Sequence, residues 1–335
     1  LLKTKSGKDV IKLGIAGMLG WPIDKEKISE ISESLGEGNL IKVNKDQAIK
    51  EEDFRDSLAR LDRSSLFIAT ETLKKTASTL ANDFNNSLVN LQTDYIDLLE
   101  IKNIRNNLDL MAFTGKGGSL EKAKELKNQG LIRYIGASSY NIEVLEKLSE
   151  QEDIDVLFVE FNPLVEDNRE FYENLSQNKI LIGINPLAGI LGAKEYKLVN
   201  YSLKENFLTN VIINIRNSKD IQSFIDSINK DNIEEEIANL MAEFKKYGDN
   251  YCRKCGLCYP CAVNMNIPRM LEINKELNDG DYSPIQEFYS YDKNASDCIR
   301  CGACEMRCPF SVPVRQIHID TVGLIERYID GNKEK

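Results

Sequence analysis

The cysteines divide this chain of 335 residues into two unlike parts. All eight lie between Cys252 and Cys308, and none occurs before them. A disulfide framework is typical of short secreted chains, and the opening LLKTKSGKDV lacks the apolar core of a signal peptide. We therefore expect reduced, metal-ligating thiols in a cytoplasmic protein. Because the sequence does not open with Met, we also expect the natural chain to start upstream.

The spacing of the cysteines indicates iron–sulfur clusters. Four cysteines of the first run are each separated by two residues: Cys252, Cys255, Cys258 and Cys261. In the second run the last cysteine follows after three residues and precedes a proline: Cys298, Cys301, Cys304 and Cys308. Three closely spaced thiolates surround one cluster, and in two-cluster ferredoxins the fourth ligand comes from the other run. We therefore predict two [4Fe–4S] clusters with crossed ligands: Cys252, Cys255, Cys258 and Cys308 for cluster 1; Cys298, Cys301, Cys304 and Cys261 for cluster 2.

Other residues of these runs fit the same interpretation. Gly256 and Gly302 each follow the second cysteine of a run and allow the backbone to approach a cluster closely. Four basic residues either stabilise the reduced clusters, dock an acidic redox partner or are simply solvated: Arg253, Lys254, Arg300 and Arg307. The alternative for the thiols is a pair of zinc sites, although zinc usually takes two thiols from each of two separated pairs.

The first part of the chain alternates between apolar, β-rich runs and amphipathic helical patterns. Eight such runs occur: IKLGIAGM (11–18), NLIKV (39–43), SLFIAT (65–70), YIDLLEI (95–101), LIRYIG (131–136), DVLFVE (155–160), KILIGI (179–184) and NVIINI (210–215). Helical spacing is clear at Leu80, Phe84, Leu88 and Leu91, and in residues 119–129, which Gly130 ends. The pattern favours a (β/α)8 TIM barrel over a doubly wound sheet. The opening residues predict a small hairpin before the first strand.

These patterns predict an α/β protein with three segments. The barrel takes residues 1–232, a helical connector 233–250, and a small, mainly helical ferredoxin-type domain with a C-terminal helix takes 251–335. The chain has 43 Lys and Arg against 53 Asp and Glu, a net charge of −10, which opposes binding to nucleic acid or anionic membranes. The longest apolar run, 180–193, is too short and too polar to span a bilayer.

Several segments of the barrel resemble one known family. They are TDYIDLLEI (93–101), GLIRYIGASSYNIEVLEKL (130–148), FVEFNPL (158–164), NPLAGIL (185–191) and NVIINIRNSKDI (210–221). In this order they resemble strand segments of the aldo-keto reductases. With CRKCGLCYPCAVNMNIP and CIRCGACEMRCP, the resemblance extends to the branch of that family with a C-terminal two-cluster ferredoxin domain, and so covers nearly the whole chain.

The resemblance implies NADP(H)-dependent carbonyl reduction by an Asp, Tyr, Lys and His tetrad, in which Tyr is the general acid. This sequence departs from that tetrad. No Tyr precedes Tyr95, so the position after the second strand lacks one. Glu71 stands where the family has Lys, and Lys102 stands where it has His. The single histidine, His318, lies beyond both cysteine runs. We therefore predict that the usual catalysis is lost.

The nicotinamide contacts that the resemblance implies are also altered. Ser138 and Ser139 stand at the family's Ser-Asn pair, and Phe158 replaces a Gln. In the phosphate-binding segment, Asn214 replaces Gly, while Ser223 and Phe224 replace Glu and Asn. Arg216 is the remaining phosphate candidate, although a lone Arg at a strand end is more often structural. Ser138, Ser139 and Arg216 are thus the candidate contacts for NADP(H).

The sequence predicts a degenerate aldo-keto reductase barrel, a pseudoenzyme, fused to a ferredoxin-type electron carrier. Its expected role is to relay single electrons between protein redox partners as a subunit of a larger complex. The alternative is an active NAD(P)H-dependent oxidoreductase with a non-standard general acid and coupled clusters. A third interpretation is a structural partner protein whose clusters only stabilise the fold and take no part in electron transfer. For the barrel mouth we predict a Glu71–Lys102 ion pair at about 4 Å or less.

Overall fold

The computed structural model describes residues 2–17, 38–43, 51–58, 62–189, 195–215, 233–247 and 251–333. The chain divides into two compact units, Leu1–Ala242 and Glu243–Lys335. Each unit has its own apolar core. None of the helices in these described ranges is long and apolar enough to cross a bilayer.

The first unit is a closed barrel of eight parallel strands, each paired with its neighbours in chain order. The strands are β1 (Leu13–Gly17), β2 (Leu40–Val43), β3 (Phe67–Thr72), β4 (Ile96–Ile101), β5 (Ile132–Ser138), β6 (Val156–Glu160), β7 (Ile180–Ile184) and β8 (Asn210–Ile215). β8 pairs with β1 and closes the ring. This confirms the predicted (β/α)8 barrel.

Helices surround the barrel between these strands. Their bounds are α1 (Glu51–Leu58), α2 (Ala77–Leu91), α3 (Asn107–Thr114), α4 (Ser119–Asn128), α5 (Ile142–Ser149), α6 (Arg169–Leu175), α7 (Val199–Leu203) and α8 (Glu234–Tyr247). Gly130 ends the α4 segment with a positive φ of 74°, as the sequence predicts. The predicted connector corresponds to α8, and the division between the two units falls inside it.

The residues before β1 form the expected hairpin. Lys3 and Asp9 make an antiparallel bridge, and Gly7 adopts a positive φ of 86° in the turn. Leu2 belongs to the apolar cluster inside the barrel, together with Leu40, Phe67 and Leu98. A larger cluster lies between the strands and the surrounding helices.

The second unit is mainly helical. It contains α9 (Ile267–Asn278), α10 (Ile285–Ser290), α11 (Ala303–Arg307) and α12 (Val314–Lys333). Its core includes Met270 and Ile273 from α9 and Ile325 from α12. In α10, Phe288 is buried, and Glu287 binds Arg269 of α9 at 2.6 Å.

Candidate functional site

Three charged residues point into the barrel because of strand alternation. Leu40, Phe67, Ala69 and Leu98 lie in the interior cluster, so the residues two further along each strand face the same way. These residues are Lys42 on β2, Glu71 on β3 and Glu100 on β4. Lys102, two residues after Glu100, follows the end of β4. The described part of the barrel mouth therefore contains two lysines and two glutamates from three adjacent strands.

These four side chains form one network. The Lys42 Nζ lies 2.7 Å from Glu71 Oε2 and 2.5 Å from Glu100 Oε2. Lys102 Nζ donates a hydrogen bond to Glu71 Oε1 at 2.9 Å, which confirms the predicted ion pair. Glu71 and Glu100 are directly opposite in the β3–β4 register, so Lys42 separates two carboxylates that would otherwise repel each other.

Burial and charge act in opposite directions within this network. Burial favours the neutral form of Glu71, but Lys102 and Lys42 outweigh it and lower its pKa to about 2. Burial likewise disfavours the Lys42 ammonium, yet Glu100 and Glu71 raise its pKa above the ordinary value. All four side chains are at most 11% exposed. Glu71 and Lys42 are therefore both favoured in their charged forms.

Lys75 lies close to this network. Its Nζ donates to the backbone oxygen of Lys102 at 2.5 Å. Burial lowers the pKa of Lys75 to about 8, and only part of that effect is offset by Asp109 and Glu100. Lys75 therefore exchanges a proton near neutral pH.

The two candidate serines serve the local backbone. Ser138 Oγ accepts from the backbone N–H of Asn103 at 3.0 Å, and Ser139 Oγ accepts from that of Asn141 at 3.0 Å. Both serines are buried. Their contact with a nucleotide stays a prediction. Arg216, with Ser223 and Phe224, lies outside the described residues.

Phe158 fills the barrel below the network. It is fully buried, and Lys42 Nζ lies 4.9 Å from the centre of its ring. A Cβ atom at Gly136 would come within 2.9 Å of the ring, so the neighbouring strand leaves space for it only because residue 136 is glycine. That an aromatic side chain here replaces a nicotinamide-binding Gln stays a prediction from the resemblance.

The two cysteine runs repeat one backbone conformation. In each, the residues before and after the second cysteine have positive φ: Lys254 at 52° and Gly256 at 77° in the first run; Arg300 at 57° and Gly302 at 75° in the second. Successive N–H groups in such left-handed turns form concavities that bind anions, including iron–sulfur clusters. All eight cysteines are described, and none of them forms a disulfide.

Cysteines of both runs meet at one cavity. It is lined by Cys261 of the first run and by Cys298, Cys301 and Cys304 of the second. Arg307 links the runs because its guanidinium donates to the backbone oxygens of Pro260, at 2.8 Å, and Ala303, at 2.9 Å. This is the set of thiols that the sequence predicts for cluster 2. Cys308, in turn, acts electrostatically on Cys252 and Cys258.

Burial favours the protonated form of three of these thiols. It raises the pKa of Cys258 well above the usual value, and the neighbouring Cys255 and Cys252 add to the effect. Burial also raises the pKa of Cys252 and Cys304. Such thiols are poor nucleophiles, and a metal that binds them must displace their protons.

The four basic residues of the runs have different surroundings. Lys254 Nζ pairs with Glu272 at 2.6 Å and is largely buried, and the Arg253 guanidinium lies 4.4 Å from the Phe310 ring centre. Arg307 makes the backbone contacts described above. The interpretation of these residues as simply solvated is therefore wrong for Lys254 and Arg307. Arg300 is exposed, as is the neighbouring Cys301.

Comparison with protein-family models gives two adjacent matches. Residues 46–211 match the aldo/keto reductase family, and residues 251–313 match a 4Fe-4S dicluster domain. The chain therefore carries an aldo/keto reductase domain match within its barrel and a 4Fe-4S dicluster domain match in its cysteine region. The dicluster match covers all eight cysteines, while the barrel match covers Glu71, Glu100 and Lys102.

Individual relatives each match part of this chain. The chain is 30% identical, over 124 residues, to an uncharacterized oxidoreductase of Bacillus subtilis, YqkF. That match spans 36% of this chain and 38% of the relative. Two solved structures share the fold. An aldo-keto reductase from Bacillus halodurans in its holo form has 17% identity and a TM-score of 0.57, over 71% of this chain and 95% of that one. A putative aldo-keto reductase from Pseudomonas aeruginosa has 19% identity and a TM-score of 0.55, over 68% and 93%.

Sequence reasoning identified Glu71 and Lys102 in the barrel mouth but missed Lys42, Glu100 and Lys75. A signal for two of them was present. Lys42 and Glu100 are charged residues within apolar strand runs, and both have the parity of inward-facing neighbours. Lys75 had no such signal because it follows the strand in a polar segment.

Proposed function

We propose that this protein is an iron–sulfur electron carrier. In this proposal the aldo/keto reductase-like barrel has lost the usual carbonyl reduction and serves as a scaffold on which protein partners dock. The role is a relay of single electrons between redox proteins within a larger complex. The observation that carries the proposal is the meeting of Cys261 with Cys298, Cys301 and Cys304 at one cavity.

The cysteine unit fits two clusters in chemistry and conformation. Four thiols surround one cavity, and the other four, Cys252, Cys255, Cys258 and Cys308, are assigned to a second cluster. Both runs share the left-handed turns that direct backbone N–H groups towards an anion. When bound, [4Fe–4S] clusters supply reversible one-electron transfer. The chain's own part is to bury the clusters, to donate N–H groups to sulfur and to fix their surroundings.

The barrel mouth supports the loss of the usual chemistry. In the family, a Lys paired with Asp lowers the pKa of the catalytic Tyr, and a His orients the carbonyl. Here Glu71 and Lys102 occupy the Lys and His positions and bind each other. Lys42 compensates both glutamates, so the four charges hold one another rather than a reacting carbonyl. Phe158 replaces the amide-binding Gln.

A second candidate function rests on Lys75. Its ammonium is buried near the mouth, and its pKa of about 8 suits proton donation near neutral pH. In this alternative Lys75 is the non-standard general acid of an NAD(P)H-dependent reductase. Ser138 and Ser139 are its candidate nicotinamide contacts.

The test uses the full chain, reconstituted anaerobically with iron and sulfide. We expect about eight irons per chain, EPR signals from two reduced cubanes after one-electron reduction, and no NADPH oxidation with simple aldehydes. Cys261→Ser should impair the cluster of the second run, although Cys261 belongs to the first. Bound zinc in place of iron, or clusters that accept no electrons, would refute the proposal.

Lys75→Met is the matched variant for the second candidate. Wild-type turnover of an aldehyde by NADPH, abolished in Lys75→Met, would replace the electron-carrier proposal with the reductase. Lys147→Met changes a lysine on α5 that donates to Asn107 at the surface, and it controls for a general effect of losing a lysine.

A further inference from the structure

His318 lines the same cavity as Cys261, Cys298, Cys301 and Cys304. It lies in the first turns of α12, and only 2% of the residue is exposed. Histidine is polar at both ring nitrogens, and burying such a group without hydrogen-bond partners destabilises the folded state. The position of His318 therefore needs a physical explanation.

The described residues supply no hydrogen-bond partner for His318. Neither Nδ1 nor Nε2 bonds to any of them. Glu305 is the charged group whose field reaches the ring, but its carboxylate already accepts from the backbone N–H and the Nε of Arg315, both at 2.8 Å. Buried polar groups in proteins are nearly always satisfied. A partner inside the cavity would satisfy this one.

The ring has a donor for such a partner. A neutral imidazole carries one N–H donor. Three arginines and four thiols also line the cavity, and the sulfur atoms of these thiols become anionic acceptors once they ligate a cluster.

We propose that His318 donates an N–H hydrogen bond to sulfur of the cluster held by Cys261, Cys298, Cys301 and Cys304, and that this bond raises the reduction potential of that cluster above that of the other. The inference rests on the proposed function. A hydrogen bond to sulfur stabilises the reduced state, which carries one more negative charge, and so favours electron uptake.

In the half of the unit that contains α9, the position that matches His318 holds an apolar residue. α9 and α12 each follow a cysteine run, and each begins beside a proline, Pro268 and Pro313. Five residues after the proline, α12 has His318, whereas α9 has Ile273, which is fully buried in the apolar core. The two halves therefore differ at matched positions, which is why we assign the higher potential to cluster 2.

The potentials are tested on the reconstituted full chain by EPR-monitored redox titration. His318→Leu removes the donor, and we expect a roughly tenfold less favourable one-electron reduction of one cluster, equal to a fall of about 59 mV, with the other cluster unchanged. His318→Gln keeps an N–H donor and should recover at least half of this shift. Ile273→Leu is the control at the matched position and should leave both potentials unchanged.

The single histidine also permits a test without any mutation. Because His318 is the one histidine of the chain, ¹⁵N-histidine labels this site alone. Pulsed EPR of the reduced, labelled protein should show ¹⁵N coupling to one cluster. Two assembled, reducible clusters without ¹⁵N coupling, or with the same potentials in His318→Leu, would overturn this inference and leave the proposed function standing. Failure of the wild type to assemble or reduce clusters would instead refute the proposed function.

Discussion

Lys42 is the residue on which the barrel network depends most. It is the shared cation of Glu71 and Glu100, which lie opposite each other on neighbouring strands. Lys42→Met leaves Glu100 without its cation among the described residues, and the two carboxylates face each other. We expect a loss of about 3–5 kcal/mol in the free energy of unfolding, the usual cost of breaking a buried ion pair from one side. Urea unfolding followed by circular dichroism measures it.

Two variants test whether this loss comes from the shared role. Lys102→Met should cost less, because Glu71 keeps Lys42. Lys3→Met removes a largely exposed pair with Asp9 and should cost less than about 1 kcal/mol. Equal losses for Lys42→Met and Lys3→Met would show that the network does not stabilise the barrel.

Glu71 makes stability depend on acid pH. Its folded-state pKa of about 2 lies below the ordinary value of 4.5, so the folded state prefers the ionised form. The resulting stabilisation is complete above about pH 4.5 and is lost as the pH falls through about 2. The wild type should therefore have a higher free energy of unfolding than Glu71→Gln above about pH 4.5, and this difference should disappear as the pH falls to about 2. Unfolding midpoints of both proteins at several pH values measure the effect, and a constant difference would contradict it.

At the scale of elements, apolar patterning predicted the strands well but not their ends. β3 and β5 each extend two residues beyond the predicted runs, to Thr72 and Ser138. Glu71 remains in its strand because inward-facing lysines neutralise it, and Thr72 continues the ladder by accepting from the N–H of Lys102 at 2.8 Å. A pattern of apolar residues stops at a charge, whereas the strand stops where its hydrogen bonds stop.

The short helix α10 shows the opposite limit. Its six residues include few strong helix signals, and tertiary contacts decide its conformation. Phe288 packs into the core, and Arg269 of α9 pairs with Glu287. The position of Cys261 at the same cavity as cysteines of the second run was predictable from the cysteine spacing, because in two-cluster ferredoxins the fourth ligand comes from the other run. The surroundings of His318 were not, because they depend on how α12 packs over that run.

At the scale of the whole molecule, the two units differ in what stabilises them. The barrel has a large apolar core and a closed hydrogen-bonded sheet. The cysteine unit has a smaller core, against which Cys252, Cys258, Cys261, Cys298 and Cys308 pack. Metal binding to sites of this kind contributes directly to folding.

Iron removal should therefore unfold the two units unequally. After anaerobic chelation of the full chain, we expect faster amide hydrogen exchange in residues 251–333, with largely unchanged protection in the barrel strands. The physical reason is that the empty site leaves buried thiols with raised pKa values, the ring of His318 without a partner and two cysteine loops without the group that they surround. Exchange measured by mass spectrometry before and after chelation compares the units within one sample. Equal protection of residues 251–333 with and without iron would show that the clusters contribute little to folding, whereas loss of protection in β1–β8 would show that the barrel depends on them.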